Sequence, residues 1–355
     1  MDISEKDNEK PPNGRNGKKL PKSVALIYSD VKREYFPTKE QYLTEKDAFF
    51  DAKVIAGYLR RMKIRTILCP ANDCLAENLK KQKINVAINL VGSIRGKEYL
   101  ASTIPGVLEL LRIPYTGAGI LGESLAYNKF LVKKLLEQNG VPVPHYQLLN
   151  THYDPLDPTL RFPLISKLNE IHGAVEITKD AVSENEKHLR NRVKFLIKTY
   201  NQPVLVEEFI VGREITAYLL EGLNKKVYLA EKIFKKKKGK YIFSNFQMQW
   251  GKEDGFHYRK YNDPLLKEYV KKAFDITRMD DYGKFDVRLD SSGRYFFLDC
   301  NSNPAFGPKQ IAAAMGYILE LYGISFTEVL KRLLLNTLRD ATGRKPLPFP
   351  GNGEN

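Results

Sequence analysis

Residues 283–303 read GKFDVRLDSSGRYFFLDCNSN, and this stretch decides the fold assignment. Apolar and polar residues alternate on both sides of a Ser-Ser-Gly turn at 291–293, which predicts an antiparallel hairpin. The two predicted strands contain Asp286, Asp299 and Asn301, whose side chains can converge on one point. Two carboxylates and an amide oxygen suit Mg²⁺ ions that take further ligands from phosphate oxygens. An ordinary acidic surface hairpin would show the same pattern, so these residues alone leave both interpretations open.

The composition is typical of a globular protein. With 355 residues, the chain is long enough for two or three domains. Its three cysteines are too few for a disulfide framework and lack metal-ligand spacing, which indicates a reducing compartment. The sequence shows neither an apolar run that could cross a bilayer nor the apolar region of a signal peptide. We therefore expect a cytoplasmic protein without a membrane partner.

The formal net charge of +15 is spread along the whole chain. A dispersed positive charge favours small anionic substrates over a polynucleotide. The densest basic run, KKKKGK at 235–240, separates two strand-like segments and therefore predicts a solvated hairpin tip. The alternative is a nucleic-acid-binding module that uses this run, which would bind DNA or RNA in a salt-sensitive way.

The chain divides into segments of different composition. Short apolar strands alternate with amphipathic helices in the amino-terminal part, which predicts a parallel α/β domain. The first strand runs into Asp30 without a glycine-rich turn, so we expect a nucleotide to bind elsewhere. Further apolar segments predict strands at 161–168, 175–178, 226–234 and 240–249. The predicted parts are a disordered tail (1–21), an α/β substrate domain (22–122), a small α+β lid (123–203), a strand-rich catalytic domain (204–343) and a flexible tail (344–355).

Several motifs follow one another in a specific order. Lys129 lies on a predicted helix and Lys167 on a predicted lid strand. They precede VEEFIVGREITAYLL at 206–220, a predicted strand, glycine turn and strand, and then the hairpin at 283–303. This order resembles the ATP-grasp superfamily, and within it the D-alanine–D-alanine ligase-like carboxylate-amine ligases. Three further segments are similar to that branch: IPYTGAG (113–119), NGVPVP (139–144) and GISFTEVLKRLL (323–334).

The resemblance implies a fold, an activity and partners. The fold would be a three-domain ATP-grasp fold of α/β and α+β class, with an N-terminal parallel α/β domain, a small central lid and a C-terminal antiparallel-sheet domain. The enzyme would join a small-molecule acid to an amine through an acyl phosphate and release ADP and phosphate. Its cofactors would be ATP and Mg²⁺, with Mn²⁺ as a substitute. Family analogy also implies a homodimer.

The resemblance also implies residue roles. Lys284 replaces a family arginine that contacts the transferring phosphoryl group, and Arg288 on the same strand face would compensate. Surface positions are the alternative for the two nucleotide lysines, for the glutamates and for Arg288. The implied nucleotide contacts are Lys129 and Lys167 to the phosphates, the backbone of Glu207, Glu208, Phe209 and Ile210 to adenine, and Glu214 to the ribose hydroxyls. The implied Mg²⁺ ligands are Asp286, Asp299 and Asn301.

Some segments depart from the family pattern. LNEIHGAVEI at 168–177 replaces a loop rich in Gly and Ser, and His172 there would contact the phosphates or the incoming amine unless it has no function. YSDVKREYF at 28–36 replaces the turn that grips the first D-alanine, and Ala305 replaces a glycine at the oxyanion position, which Gly307 would supply. These differences indicate substrates other than standard D-alanine. The alternative function is a non-catalytic ATP-binding regulatory protein with a decayed phosphate loop.

Overall fold

The computed structural model describes residues 19–222, 224–235, 239–251 and 255–340, and three β-sheets run through them. The first sheet is parallel, with the strand order β2-β1-β3-β4. Its strands are β1 (Ser23–Ser29), β2 (Arg65–Ala71), β3 (Val86–Leu90) and β4 (Tyr115–Thr116). The helices of this part are α1 (Lys39–Leu43), α2 (Ala48–Arg61), α3 (Leu75–Lys80), α4 (Thr103–Leu110) and α5 (Ile120–Ala126).

Burial explains why these elements form. Strand β1 is buried along almost its whole length, as expected for a central strand of a parallel sheet covered on both faces. Helix α2 buries Ala52, Ile55, Ala56 and Leu59, which recur at helical spacing on the face against the sheet. The predicted parallel α/β part is therefore confirmed.

The second sheet is antiparallel, in the order β5-β8-β6-β7. Its strands are β5 (Tyr146–Leu149), β6 (Leu164–Leu168), β7 (Val182–Ser183) and β8 (Val204–Glu208), and the neighbouring helices are α6 (Lys129–Gln138) and α7 (Glu186–Tyr200). Helix α7 begins where Asn185 accepts a hydrogen bond from the His188 amide, and it ends at Asn201 in the left-handed region. We call this sheet with α7 the lid.

The third sheet is antiparallel, in the order β11-β10-β9-β12-β13. Its strands are β9 (Gly212–Leu220), β10 (Lys226–Phe234), β11 (Phe256–Tyr261), β12 (Tyr282–Asp290) and β13 (Tyr295–Asn301). The accompanying helices are α8 (Phe246–Trp250), α9 (Pro264–Ile276), α10 (Ala314–Leu321) and α11 (Phe326–Asp340). Strands β12 and β13 form the predicted hairpin, and Asp290 accepts from the amides of Ser292 and Arg294 in its turn. The predicted three-part α/β and α+β architecture is confirmed.

Two predicted strands are wrong. Residues 173–176 form a turn, in which Ala174 and Glu176 have positive φ angles that a regular β-ladder does not accommodate, and 177–178 are irregular. The strands that pair with β6 are β7 and β8. Residues 240–249 form an irregular segment followed by α8, whose first turn is capped by Asn245 accepting from the Met248 amide.

The hairpin tip predicted at 235–240 has a different setting, because residues 240–249 are not the strand that completes the hairpin. Strand β10 pairs with β11, and the Lys235 amide donates to the Gly255 carbonyl, so the run opens a long connection between these two strands. Lys240 forms an exposed ion pair with Glu184, at 2.8 Å. Residues 236–238 lie outside the described residues, as do residues 1–18 and 341–355 of the two predicted tails.

The domain boundaries remain predictions, and one strand bears on them. Strand β8 falls within the predicted carboxy-terminal domain (204–343), but it pairs with β5 and β6 inside the lid sheet. Apolar sequence alone cannot tell which sheet a strand joins, because both sheets offer similar buried neighbours. The pairing indicates that the lid extends to about Glu208.

A shared core joins the first and third sheets. Leu26 and Ile55, from the first sheet and its helix α2, lie in one apolar cluster with Tyr218 of the third sheet and with Met315 and Leu330 of its helices. The lid has a separate cluster built on α7 and its own strands. A cleft consequently lies between the lid and the joined pair of sheets. Among the described residues, no helix is both long and apolar enough to cross a membrane.

The shared core predicts the effect of shortening one buried side chain of α11. Leu330 is fully buried in it, whereas the next residue, Lys331, is exposed. We expect Leu330→Ala to lower the free energy of unfolding by about 2–5 kcal/mol, because it removes buried methyl groups and leaves a cavity. Urea denaturation followed by circular dichroism measures this loss, and Lys331→Ala is the matched control. Equal stability of both variants would contradict the packing described here.

A cross-strand ion cluster predicts a pH effect. Arg213 donates to both Glu231 oxygens at 2.7 Å, and Arg259 donates to one of them at 2.7 Å. These contacts lower the pKa of Glu231 to about 2, and the hydrogen bond from Arg213 has the largest effect. Because the folded-state pKa lies below the unfolded one, the stabilisation is present above about pH 4–5 and is lost as the pH falls towards 2. We expect Glu231→Gln to be less stable than wild type at pH 7 but equally stable near pH 2, as measured by denaturation at each pH. Glu268→Gln, an exposed position on α9, should show no such convergence.

Candidate active site

A cavity of about 1380 Å³ lies between the three sheets. Its wall includes Ser29 and Glu45 from the first unit, residues of the lid, and the inner face of the third sheet. The residues selected for the nucleotide, Mg²⁺ and catalytic roles line it: Lys129, Lys167, His172, Glu207, Glu208, Phe209, Ile210, Glu214, Lys284, Asp286, Arg288, Asp299 and Asn301. Ala305 lines it as well, whereas Gly307, selected for the oxyanion position, is not among the lining residues. The fold thus brings together residues that are far apart in sequence.

The β12–β13 hairpin sets the geometry of the acidic residues. Asp286 and Asp299 are directly opposite on the two strands, and a bulge follows Asp286. Asn301 lies two positions beyond Asp299 and opposite Lys284, and its amide donates to Asp299 at 3.3 Å. Directly opposite carboxylates repel each other unless a cation lies between or beside them.

Lysines compensate the charge of Asp286. Lys284 contacts one carboxylate oxygen, Lys232 lies 3.6 Å from the other, and Thr216 donates to that second oxygen at 3.0 Å. Burial opposes ionisation, but Lys284 and Lys232 outweigh it and hold the pKa of Asp286 well below its ordinary value.

Asp299 has a similar balance. Burial opposes its ionisation, while Lys129 and His172 lower the pKa of this carboxyl below the ordinary value. Both acids are therefore negatively charged at neutral pH.

These groups could hold a divalent cation. Two ionised carboxylates and the Asn301 amide oxygen are the donors that Mg²⁺ prefers. Within the described part of the chain, no group of three His, Cys, Asp or Glu side chains has metal-binding geometry. An ion here would consequently depend on phosphate oxygens or water for its remaining ligands, which is usual for Mg²⁺.

The predicted phosphate lysines come from two different elements. Lys129, at the start of α6, donates to the Ile171 carbonyl at 2.7 Å. Lys167 of β6 lies 2.8 Å from the buried carboxylate of Glu207. Lys133, which the sequence interpretation missed, lies 3.1 Å from the other Glu207 oxygen. Its spacing of four residues from Lys129 on one helix would have indicated it.

The segment after β8 forms the hinge between lid and third sheet. The amides of Glu208 and Phe209 donate to the carbonyls of His145 and Pro163, both at 2.9 Å. The Phe209 ring contacts Phe243 edge-on, and the Arg288 guanidinium lies 4.9 Å from its centre. The hinge is thus held in place by backbone bonds and an aromatic cluster.

Arg288 is committed to this hinge. Its guanidinium donates to the carbonyls of Ile210, Gly212 and Ile242 at 3.0, 3.2 and 2.9 Å, and to Glu214 at 2.7 Å. The side chain is 3% exposed, so the alternative of a surface ion pair is wrong. These contacts favour a positioning role over the predicted compensation for Lys284.

Glu214 is fully engaged as well. Its oxygens accept from the Ser244 amide at 3.0 Å, the Ser244 hydroxyl at 2.7 Å and Arg288 at 2.7 Å, and Lys232 lies 3.4 Å away. Burial opposes its ionisation, but Lys232 and Arg288 outweigh burial and lower the pKa of this carboxyl. Ser244, in the segment after β10, therefore donates to the carboxylate that the resemblance assigns to the ribose hydroxyls.

The altered loop at 168–177 is anchored by a contact that the sequence did not indicate. The backbone amide and the Nδ1 of His172 both lie against Glu98 Oε2, at 2.8 and 2.9 Å. The His172 ring packs edge-on against Tyr127, and its Nε2 is buried without a hydrogen-bond partner. Burial and then Glu98 raise the pKa of the neighbouring Glu45 to about 7. Glu98 and Glu45 have no motif around them that would have indicated this site.

Comparisons with known proteins agree with this geometry. Residues 135–335 match the family model described as D-ala D-ala ligase C-terminus, which is more than half of the chain. The D-alanine–D-alanine ligase of Carboxydothermus hydrogenoformans is 26% identical over 311 residues, covering 84% of this chain and 93% of that protein. D-alanine–D-alanine ligase B of Pseudomonas putida is 28% identical over 288 residues, covering 79% and 83%.

A solved structure shows the same fold. The D-alanine–D-alanine ligase of Bacillus anthracis complexed with ATP superimposes with a TM-score of 0.68 at 20% identity, covering 90% of this chain and 98% of that one. At this identity the likeness concerns the fold. Together with the family match, it shows that the chain belongs to the D-ala D-ala ligase family and has the ATP-grasp fold.

Proposed function

We propose that the protein is an ATP- and Mg²⁺-dependent carboxylate-amine ligase that forms an amide bond through an acyl phosphate. The observation that carries this proposal is the pair of ionised carboxylates Asp286 and Asp299, directly opposite each other in the cavity that also contains Lys129 and Lys167. Such a site attracts a triphosphate together with its divalent cation.

The reaction needs activation of the acid. A carboxylate oxygen attacks the γ-phosphorus of ATP, the bond to the β-phosphate bridging oxygen breaks, and ADP leaves. The amine nitrogen then attacks the acyl carbon, phosphate leaves, and the nitrogen loses its proton. When bound, Mg²⁺ would neutralise charge on the β- and γ-phosphoryl oxygens. Asp286, Asp299 and Asn301 would hold it there, with Mn²⁺ as a substitute.

Lysines would bind and orient the phosphates. Lys129 and Lys167 act as point charges on the transferred and remaining phosphoryl groups. Lys284, two residues before Asp286 on β12, would stabilise the charge that develops on the acyl oxygen. Enclosure by the lid would exclude water, which otherwise hydrolyses the acyl phosphate.

The hinge would bind the nucleoside. Because the amides of Glu208 and Phe209 are already bonded, we expect Ile210 to donate to adenine and the Phe209 ring to pack on its face. Glu214 would accept from the ribose hydroxyls after Ser244 leaves it. Arg288 would keep Glu214 oriented during this exchange.

The acid and the amine would differ from standard D-alanine. The support is the altered sequence at 28–36 and at Ala305. The cavity exceeds the usual 300–1,000 Å³ of a small-ligand site, which agrees with a site that holds ATP together with further substrates. His172, held by Glu98, would contact the phosphates or the incoming amine. We also propose, from the resemblance to the family, a cytoplasmic homodimer.

The proposal predicts substrate-dependent ADP release. Purified protein with ATP, Mg²⁺ and pooled amino acids, dipeptides and amines should form ADP and phosphate together with an amide product seen by mass spectrometry. Asp299→Asn should lower kcat by about a hundredfold or more, because it removes charge that holds the metal. Asp275→Asn, an exposed carboxylate on α9, is the control and should retain activity. ATP binding without ADP formation under any acid and amine mixture would instead support a non-catalytic ATP-binding regulatory protein.

The contacts of Glu214 predict a gain in nucleotide affinity. Ser244→Ala removes a hydroxyl that competes with ribose for this carboxylate, so we expect the Kd for ATP to fall by up to about tenfold, the value of a hydrogen bond to a charged group. Calorimetry with ATP and with adenosine should show similar gains, since both contain ribose. Ser292→Ala removes a comparable serine–carboxylate bond at the hairpin turn and is the control. Unchanged or weaker binding by Ser244→Ala would show that ribose does not bind at Glu214.

A further inference from the structure

Glu207 is a buried carboxylate between two lysines. Its side chain has no exposed surface, and Lys133 and Lys167 lie 3.1 and 2.8 Å from its two oxygens. Lys133 comes from α6 and Lys167 from β6, so the acid joins two elements. The group of three side chains contains two positive charges and one negative charge. A single cation would already compensate Glu207.

The two lysines differ in their freedom to move. Lys133 is 3% exposed and also donates to the Phe297 carbonyl of β13 at 3.2 Å. Lys167 is 12% exposed and its side chain borders the large cavity. Only Lys167 of this pair can therefore turn towards a ligand in the cavity without leaving a second partner.

Removing the partner of a buried charge is costly. If Glu207 had only Lys167, movement of that lysine to a phosphate would leave the carboxylate buried and unpaired. The free energy needed to break the pair would then be subtracted from the favourable free energy of nucleotide binding. The phosphates would consequently bind weakly. With Lys133 in place, Glu207 stays compensated when Lys167 departs.

We propose that Lys133 is a positioning residue that releases Lys167 for the nucleotide phosphates by keeping Glu207 compensated, an inference that rests on the ATP site of the proposed function. Lys133 itself does not touch the nucleotide. Its hydrogen bond to the carbonyl of Phe297, two residues from Asp299, would hold the lysine in place when Lys167 moves.

The test compares ATP with adenosine in binding calorimetry without acid or amine. Lys133→Met should weaken ATP binding about tenfold or more, since a charge-assisted contact from Lys167 is lost, while adenosine affinity stays within about twofold. Lys134→Met, the exposed neighbour on α6, should bind both ligands as wild type does. Thermal unfolding of each variant shows whether it is folded.

The Glu207→Gln background separates this mechanism from simple attraction between Lys133 and the phosphates. With no carboxylate to compensate, Lys167 is free in both variants, so Glu207→Gln and Lys133→Met/Glu207→Gln should bind ATP within about twofold of each other. A tenfold loss from Lys133→Met in both backgrounds, or no loss in either, would overturn the inference. Because only binding is measured, an absent ligase activity leaves the result unaffected. Wild-type protein that binds no ATP would overturn the inference together with the ATP site.

Discussion

Compensation of buried and partly buried carboxylates by cations is the constraint on which this structure depends. Glu207 and Glu214 are buried and the Asp286 side chain is 23% exposed, and an unpaired carboxylate in such surroundings would lose its proton only at a cost in free energy. Each is paired with at least one cation from a different element of the fold. The ion pairs therefore act as cross-links between strands that are distant in sequence, and the same groups face the cavity.

This constraint changes how ligand binding should be understood. Lys167 is paired with Glu207, and Glu214 is bonded to Ser244. Binding then becomes an exchange of partners, and its free energy is a difference between two sets of contacts. Residues that keep their contacts during this exchange, such as Lys133 and Arg288, determine the size of that free-energy difference. They influence affinity although they do not face the reacting atoms.

The sequence predicted elements that depend on contacts between residues close together in the chain. It did not predict elements that depend on contacts between distant residues. Alternation around a serine–glycine turn is a local signal, and it predicted the β12–β13 hairpin and its acidic residues. Residues 240–249 alternate in the same way, but there Tyr241 and Phe243 pack on Phe209 in an irregular segment instead of a ladder. The positive φ at Glu176 likewise reflects distant contacts, since Arg192 and Tyr200 bond to this residue.

The candidate site shows the same division. Lysine and carboxylate positions follow from motif order, and their common location in one cavity follows from the fold. The pair of Glu98 and His172 joins residues 74 positions apart and has no local pattern, so sequence alone could not have predicted it. Lys133 is an intermediate case, because helical spacing from Lys129 places it on the same face but does not reveal Glu207 as its partner.

The altered loop bears on the choice between a ligase and a protein with a decayed phosphate site. Three residues in it have left-handed backbone: Gly173, Ala174 and Glu176. A side chain at Gly173 would meet the Thr44 methyl group at 2.8 Å, so the close approach requires glycine there. The strained conformation of Glu176 is held by Arg192, which donates to both its carbonyl and its carboxylate, at 2.7 and 2.8 Å. A turn fixed by such contacts has a defined shape despite its low glycine content, so the low glycine content alone is no argument for a decayed loop.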